Sequence, residues 1–460
     1  MPRPPISQRR ISVLLLALAV SAAVPLNAQD KTLADRVDGY LAPYVAGNNF
    51  LGAVLIAKGD KILVSRGYGN ASYEFGVANT ASTRFHIASV SKPFTAACIL
   101  LLEQRNMLQV SDPISRFLPD FPYAGKITLE HLLTHTSGIA NVNSLPDYDA
   151  ASRFPQTPAS LIKLFQNKPL NFEPGTKYEY SNSNYNILAF VIEQVSGKSY
   201  GQFLEENLFS PLALADTGHD GTATDLIKNG AIGYQPRGLT DLERAPYIDW
   251  SAKTGNGSLY STTADLFRFV RAYRTGRILP QSVVDRIWTE KPGNNYGWFV
   301  RKKRGLLAIG SNGRSPGFTS SVEYYPGQDL TVIVLSNSYS PVSQSPISDD
   351  LAALAIGELA RSPAPPSAIH LQAKDIQAIA GDYEFDQDYY RPNAKISIHT
   401  RGNALVLDWG NNFESAMIPV SPTEFIERQF WSMVRLLPDR SGFTYTSSGS
   451  TFRATKISPK

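Results

Sequence analysis

Apolar positions recur at helical spacing over residues 33–45, after which the chain switches to short apolar runs at 53–57 and 62–65 around Gly59-Asp60. The first pattern predicts a helix and the second a strand pair joined by a tight turn. From about residue 80 to 290 the spacing is mostly helical, broken often by Gly, Pro, Asn and Ser. It predicts helices at 93–104, 129–133, 185–195, 200–208 and 264–273. The first of these is apolar nearly all round from Phe94 to Leu102, the pattern of a buried helix. Strand-like runs return at 296–301, 306–309, 319–325 and 330–335, and a final helical run covers 349–360. Strands at both ends with helices between them predict an α+β fold. One antiparallel sheet is closed by both termini and flanked by helices, and the middle of the chain supplies a helical subdomain.

Ser362-Pro363-Ala364-Pro365-Pro366-Ser367 has the composition of a linker, and the texture changes beyond it. Short runs at 395–399, 404–409, 416–420, 424–428, 433–437, 443–446 and 452–457, with turns between, predict a small all-β barrel or sandwich. The expected division is a leader at 1–28, a main domain over 30–361, a linker over 362–371 and a C-terminal β domain over 372–460.

At the N-terminus, Arg3, Arg9 and Arg10 precede an apolar run over 11–24, and Ala28 offers a small residue for cleavage. This is the pattern of a secretory signal peptide, short for a membrane span. An uncleaved anchor is the alternative. The expected location is the periplasm or the exterior, with no stable membrane insertion after cleavage. Hydrophobic residues at 43% and charged residues at 18% describe a globular chain. A net charge of +4, spread along the sequence, supports no nucleic-acid partner. The local run Arg301-Lys302-Lys303-Arg304 reads as a solvated hairpin turn. Cys98 is the single cysteine, which excludes an intrachain disulfide; within the apolar helix it reads as a buried, inert thiol.

Candidate chemistry begins at Ser89-Val90-Ser91-Lys92, at the mouth of the buried helix. Residues three apart share a helix face, so an amine comes within reach of a hydroxyl. A serine hydroxyl is a poor nucleophile at neutral pH and needs a base, which a desolvated lysine can be. Pro93 suits a first helical turn, where its missing N–H is not needed. A lysine at the start of a buried helix is costly without a partner or a job. The competing local reading is a capping serine beside a lysine that snorkels to solvent.

Downstream lie His131-Leu132-Leu133-Thr134-His135-Thr136-Ser137-Gly138 and Pro174-Gly175-Thr176-Lys177-Tyr178-Glu179-Tyr180-Ser181-Asn182. Together with Ser89-x-x-Lys92, these motifs occur in an order and spacing that resemble the serine β-lactamase and penicillin-binding-protein family. The likeness is greatest to the class C branch, with its esterases, D-stereospecific peptidases and β-lactamase-like hydrolases, and spans residues of about 35 to 360. It implies the β-lactamase/transpeptidase-like fold, Ser89 as nucleophile, Tyr180 as partner base to Lys92, and Asn182 as a contact to the substrate amide. A tyrosine with an ordinary pKa of about 10 needs a cation close by to act as a base, and Lys92 would supply one.

The third family element is a Lys/His-x-Gly on an inner strand, and two stretches compete for it. Lys253-Thr254-Gly255 matches literally but sits in a loop leading to a helix, and is set aside as a coincidence. Ser311-Asn312-Gly313 sits just before a strand pair and is taken as the equivalent. Ser311 then stands where relatives carry a cation or imidazole. Losing such an anchor for a substrate carboxylate costs about 1.5–3 kcal/mol, which favours esters or amides without a required carboxylate. Arg314 follows and can restore charge. The oxyanion hole is expected from the backbone N–H groups of Ser89 and Arg314. His135 reads as structural, and His86, His131, His219, His370 and His399 show no metal-ligand spacing.

The expected function is an exported serine hydrolase acting through a Ser89 acyl-enzyme on ester, D-amino-acid amide or peptide, or β-lactam substrates. Its expected partners are small molecules or short peptides, with peptidoglycan a further candidate. No metal or organic cofactor is implied. The rival reading, favoured by Ser311, is a weak or inactive relative that binds peptidoglycan fragments or a protein partner. The C-terminal β module resembles the small lipocalin-like appendages of some family members.

Overall fold

The computed structural model describes residues 31–457 except 223, 292, 341–345, 361–368, 370, 390–392, 403, 411–413 and 448–449. The expected leader and most of the expected linker lie outside the described residues.

The strand Gly52–Lys58 explains its own unbroken apolar run. Ala53, Leu55 and Ala57 enter one core, while Val54 and Ile56 enter a second core on the opposite face. A sheet covered on both faces has no polar positions to spare. This strand is part of a seven-stranded antiparallel sheet. The order is Asn294–Asn295, Trp298–Lys303, Leu306–Ser315, Phe318–Tyr325, Leu330–Ser336, Gly52–Lys58, Lys61–Tyr68. Gly52–Lys58 pairs with Leu330–Ser336, so an early and a late segment close the sheet together, as the sequence predicts. The helices Leu33–Ala46 and Pro346–Ala355 cover one face. Lys92–Gln104, Asn182–Ser196 and Thr263–Arg274 pack into the larger core on the other.

Several elements differ from the sequence pattern. The helices Pro158–Phe165 and Gln281–Ile287 were not expected. The last helix of this unit runs Pro346–Ala355, earlier than the predicted 349–360. The strand predicted at 306–309 continues to Ser315, because the ladder with Phe318–Tyr325 carries its small polar residues along. The basic run 301–304 is not a freely solvated turn. The Lys303 ammonium lies 2.6 Å from Glu323 and 2.8 Å from Asp349, and Arg304 pairs with Asp350. Glu323 and Asp350 are buried, and buried carboxylates need cations against them.

The C-terminal strands close into a barrel, which decides between barrel and sandwich. The sequence reading missed its first strand, Gly381–Phe385. That strand pairs with Lys395–Arg401 on one side and Ser450–Lys456 on the other, so without it there is no closure. The turn after Glu424–Glu427 holds the barrel to the main unit. Arg428 is 1% exposed and donates to Asn49 Oδ1 and to the carbonyls of Gly47, Arg237, Gly238 and Asp241. Trp431 packs against Tyr44, ring centres 5.8 Å apart.

Candidate active site

Ser89 lies in a short 3-10 turn, Ala88–Ser91, that runs into the helix Lys92–Gln104. Ala88 holds φ at 46°, a left-handed conformation that costs an L-residue roughly 1 kcal/mol or more. The turn sits against the inner strand Leu306–Ser315. A Cβ on Gly313 would collide with the Ile87 carbonyl and the Ser89 amide nitrogen, so only glycine permits this approach. Ser320 on the neighbouring strand clamps the same carbonyl, its hydroxyl 2.7 Å from Ile87 O.

Lys92 and Tyr180 converge on the serine. Lys92 Nζ is 3.0 Å from Ser89 Oγ, and Tyr180 OH is 2.9 Å from it. Lys92 is 1% exposed, so the snorkelling alternative fails. Its amine also donates to Asn182 Oδ1 at 2.9 Å and to the Asn256 carbonyl at 2.8 Å. Asn182 opens the helix Asn182–Ser196, and its backbone N–H donates to Asn141 Oδ1 at 3.0 Å. The residue expected to touch a substrate amide thus also anchors the lysine. His135 Nδ1 accepts from the Ser181 amide at 3.2 Å, and its ring lies 4.5 Å from that of Tyr180. This buried histidine supports the tyrosine segment, in keeping with a structural role.

Burial acts on both ionisable groups. Burial, and then the charge of Lys253, push the Lys92 ammonium well below the usual amine range. A neutral amine keeps two donors and one lone pair. In that neutral form the two donors would serve Asn182 Oδ1 and the Asn256 carbonyl, and the lone pair would be left to face the Ser89 hydroxyl. Burial pushes the Tyr180 phenol up, with the hydrogen bond to Ser89 opposing it. That direction is opposite to the expectation of a base activated by a neighbouring cation. In the resting site burial thus disfavours both the phenolate and the ammonium.

Ser89, Lys92, Tyr180, Asn182, Ser311 and Arg314 line one cavity of about 270 Å³. Ser311 is buried on the inner strand, where the third element was expected. The guanidinium of Arg314 sits 4.9 Å from the ring centre of Tyr339 and 5.1 Å from that of Phe430. Phe430 belongs to the barrel, so the C-terminal module reaches a residue of the site.

Lys253 corrects an expectation. It ends the 3-10 turn Trp250–Lys253, so Lys253-Thr254-Gly255 is no strand element. Yet Lys253 lines the same cavity as Ser89, and it is not a coincidental match without a place in the site. Its literal motif was the signal. The strand context argued against it, and a turn packed against the helix at Asn182 delivered it by another route. Asn143, Asn256 and Asn294 also line the cavity and carried no sequence signal.

Residues 37–356 match the Beta-lactamase family. PbpX of Bacillus subtilis (strain 168), which carries a penicillin-binding-protein name, is 31% identical over 298 residues, covering 65% of this chain and 73% of that protein. The structure of a D-amino acid amidase from Ochrobactrum anthropi SV3, complexed with D-phenylalanine, is similar with a TM-score of 0.61 and 25% identity, covering 66% of this chain and 92% of that one. An octameric penicillin-binding protein homologue from Pyrococcus abyssi shares the fold over 92% of this chain and 99% of its own, with a TM-score of 0.64 and 22% identity. With the serine, lysine and tyrosine gathered beside the inner strand in this way, the chain belongs to the serine β-lactamase and penicillin-binding-protein family.

Proposed function

We propose that the chain is a serine hydrolase that forms an acyl-enzyme at Ser89, on ester, D-amino-acid amide or peptide, or β-lactam substrates. The convergence of Lys92 Nζ and Tyr180 OH on Ser89 Oγ, at 3.0 and 2.9 Å, carries this reading. The neutral amine of Lys92 accepts the Ser89 proton as Oγ bonds to the acyl carbon. The Ser89 amide, beside the Gly313–Arg314 stretch, receives the developing oxyanion. Tyr180 gives its proton to the leaving alcohol or amine and regains one from the Lys92 ammonium. Water then attacks the acyl-enzyme and returns the serine. The D-amino acid amidase among the similar structures supports an amide substrate of D configuration. The basic and apolar run over 3–24 supports export with cleavage near Ala28; the first residue of the mature protein tests it.

A fluorophosphonate and a fluorescent penicillin, applied to wild type and Ser89→Ala, test the nucleophile. Label on the wild type and none on the variant is expected. Turnover of p-nitrophenyl esters, D-alanine p-nitroanilide and nitrocefin then ranks the substrates. A wild-type protein that neither labels nor turns over any of them overturns the reading and leaves a binding protein.

A further inference from the structure

We propose that Lys253 is the anion-binding residue of the cavity and holds a carboxylate carried by the acyl substrate. The proposal rests on the serine-hydrolase reading and names the substrate class of that site.

The cavity is lined by the basic side chains of Lys92, Lys253 and Arg314, and among the described residues no Asp or Glu lines it. Two of those basic groups are occupied. Lys92 is spent on Ser89, Asn182 and Asn256, and Arg314 is held over two aromatic rings. Lys253 is different. It is 7% exposed, and among the described residues its ammonium has no hydrogen-bond or ion-pair partner. The ring of Tyr148 lies 5.3 Å from it. A buried ammonium without a partner is costly, and a fold retains one where a ligand completes it. Asp149 is the acidic neighbour that opposes its discharge, and burial still brings the amine down to about 8, so it remains a cation at neutral pH.

The turn is built to hold this position. The amides of Asn256 and Gly257 both donate to the Lys253 carbonyl, at 3.0 and 2.8 Å. The Asn256 carbonyl, a few residues on, is a Lys92 acceptor, so one turn carries both amines. Two polar atoms on cavity residues, Asn143 Oδ1 and Asn256 Nδ2, are buried and unpaired, available to a polar ligand. The cation missing from the inner strand at Ser311 therefore arrives from the 250–253 turn. The earlier inference from Ser311, that the site disfavours carboxylates, is reversed.

The test uses p-nitrophenyl monoesters of succinic, glutaric and adipic acids, each against the uncharged p-nitrophenyl ester of matching chain length. The readout is the ratio of kcat/KM, anionic over neutral. The ratio cancels any general effect of Lys253 on Lys92. Wild type should favour the anionic ester about tenfold or more at one chain length, the effect of a single charged hydrogen bond. Lys253→Met should lower that ratio by about tenfold, mainly through KM, and Lys253→Arg should keep most of it. A ratio unchanged in Lys253→Met overturns the proposal. Lys253→Gln serves if the methionine variant does not fold. Failure of the serine-hydrolase reading is separable, because fluorophosphonate would then leave Ser89 unlabelled. In that event, calorimetric titration of glutarate into Ser89→Ala and Ser89→Ala/Lys253→Met decides. Binding lost only in the double variant supports the anion site, and equal binding, or none to either, refutes it.

Discussion

Arg428 joins the two units of this chain, and Arg428→Met measures what it contributes. The side chain is 1% exposed and lies on a barrel turn, yet most of its partners belong to the main unit. Five contacts measure 3.0 Å or less: Asn49 Oδ1 at 2.9 Å, and the carbonyls of Arg237 at 2.7, Gly238 at 2.9, Asp241 at 2.7 and Gly47 at 3.0 Å. Burial lowers the guanidinium to about 10, which leaves it charged at neutral pH. At about 1.5 kcal/mol for each charged hydrogen bond, the ceiling is about 7–8 kcal/mol. Relief of the guanidinium's desolvation offsets several of these, so a net loss of about 3–5 kcal/mol is expected. Denaturant unfolding followed by tryptophan fluorescence and far-UV circular dichroism should show one shared transition in wild type. In the variant an early transition for release of the barrel should separate. Phe430, two residues on, lies over Arg314, so release should also alter turnover of the preferred ester. A stability loss below about 1 kcal/mol, with the transitions still coincident, would refute the latch.

Three further outcomes follow from the site and the barrel. Tyr180→Phe removes the hydroxyl 2.9 Å from Ser89 Oγ and should lower kcat by about 100-fold or more with little change in KM; a loss below about threefold denies Tyr180 a part in proton transfer. Burial and the Lys253 charge lower Lys92, so kcat/KM should fall on the acid side as the amine takes up a proton; Lys253→Met removes a neighbouring cation and raises the Lys92 pKa, so that limb should move to higher pH, and a stationary limb in the pH–rate profile refutes the coupling. Burial raises Glu427 to about 7, so the folded state binds a proton there that the unfolded chain releases near its model value of 4.5; stability should therefore decline by roughly 3 kcal/mol as pH rises through this window, and Glu427→Gln should remove that slope in a pH series of denaturation curves.

The legible parts of this molecule are those decided locally. Ser89 and Lys92 are three residues apart, so chain geometry alone brings amine to hydroxyl. The apolar stretch after them reads as a buried helix, and the two-faced strand Gly52–Lys58 is written in its unbroken hydrophobicity. Tyr180 was nameable only through a family likeness, because a tyrosine in a turn has no local feature that distinguishes it from a packed aromatic. Its pKa was not legible for the same reason: it depends on burial from all sides, which outweighs the hydrogen bond to Ser89. The strand Gly381–Phe385 escaped notice because its half-polar pattern makes sense only once Ser450–Lys456 returns beside it.

By itself the amino-acid sequence determined the layered architecture, the pairing of Ser89 with Lys92, and the β character of the C-terminal module. Those rest on periodicity and on spacing within a few residues. Only the tertiary structure decided that Asn256 offers Lys92 a carbonyl, that Lys253 enters the cavity from a turn instead of a strand, and that Arg428 and Phe430 tie the barrel to the site. Each of these joins residues far apart in the chain, where contact is set by the packing of whole elements and not by any preference of the residues themselves.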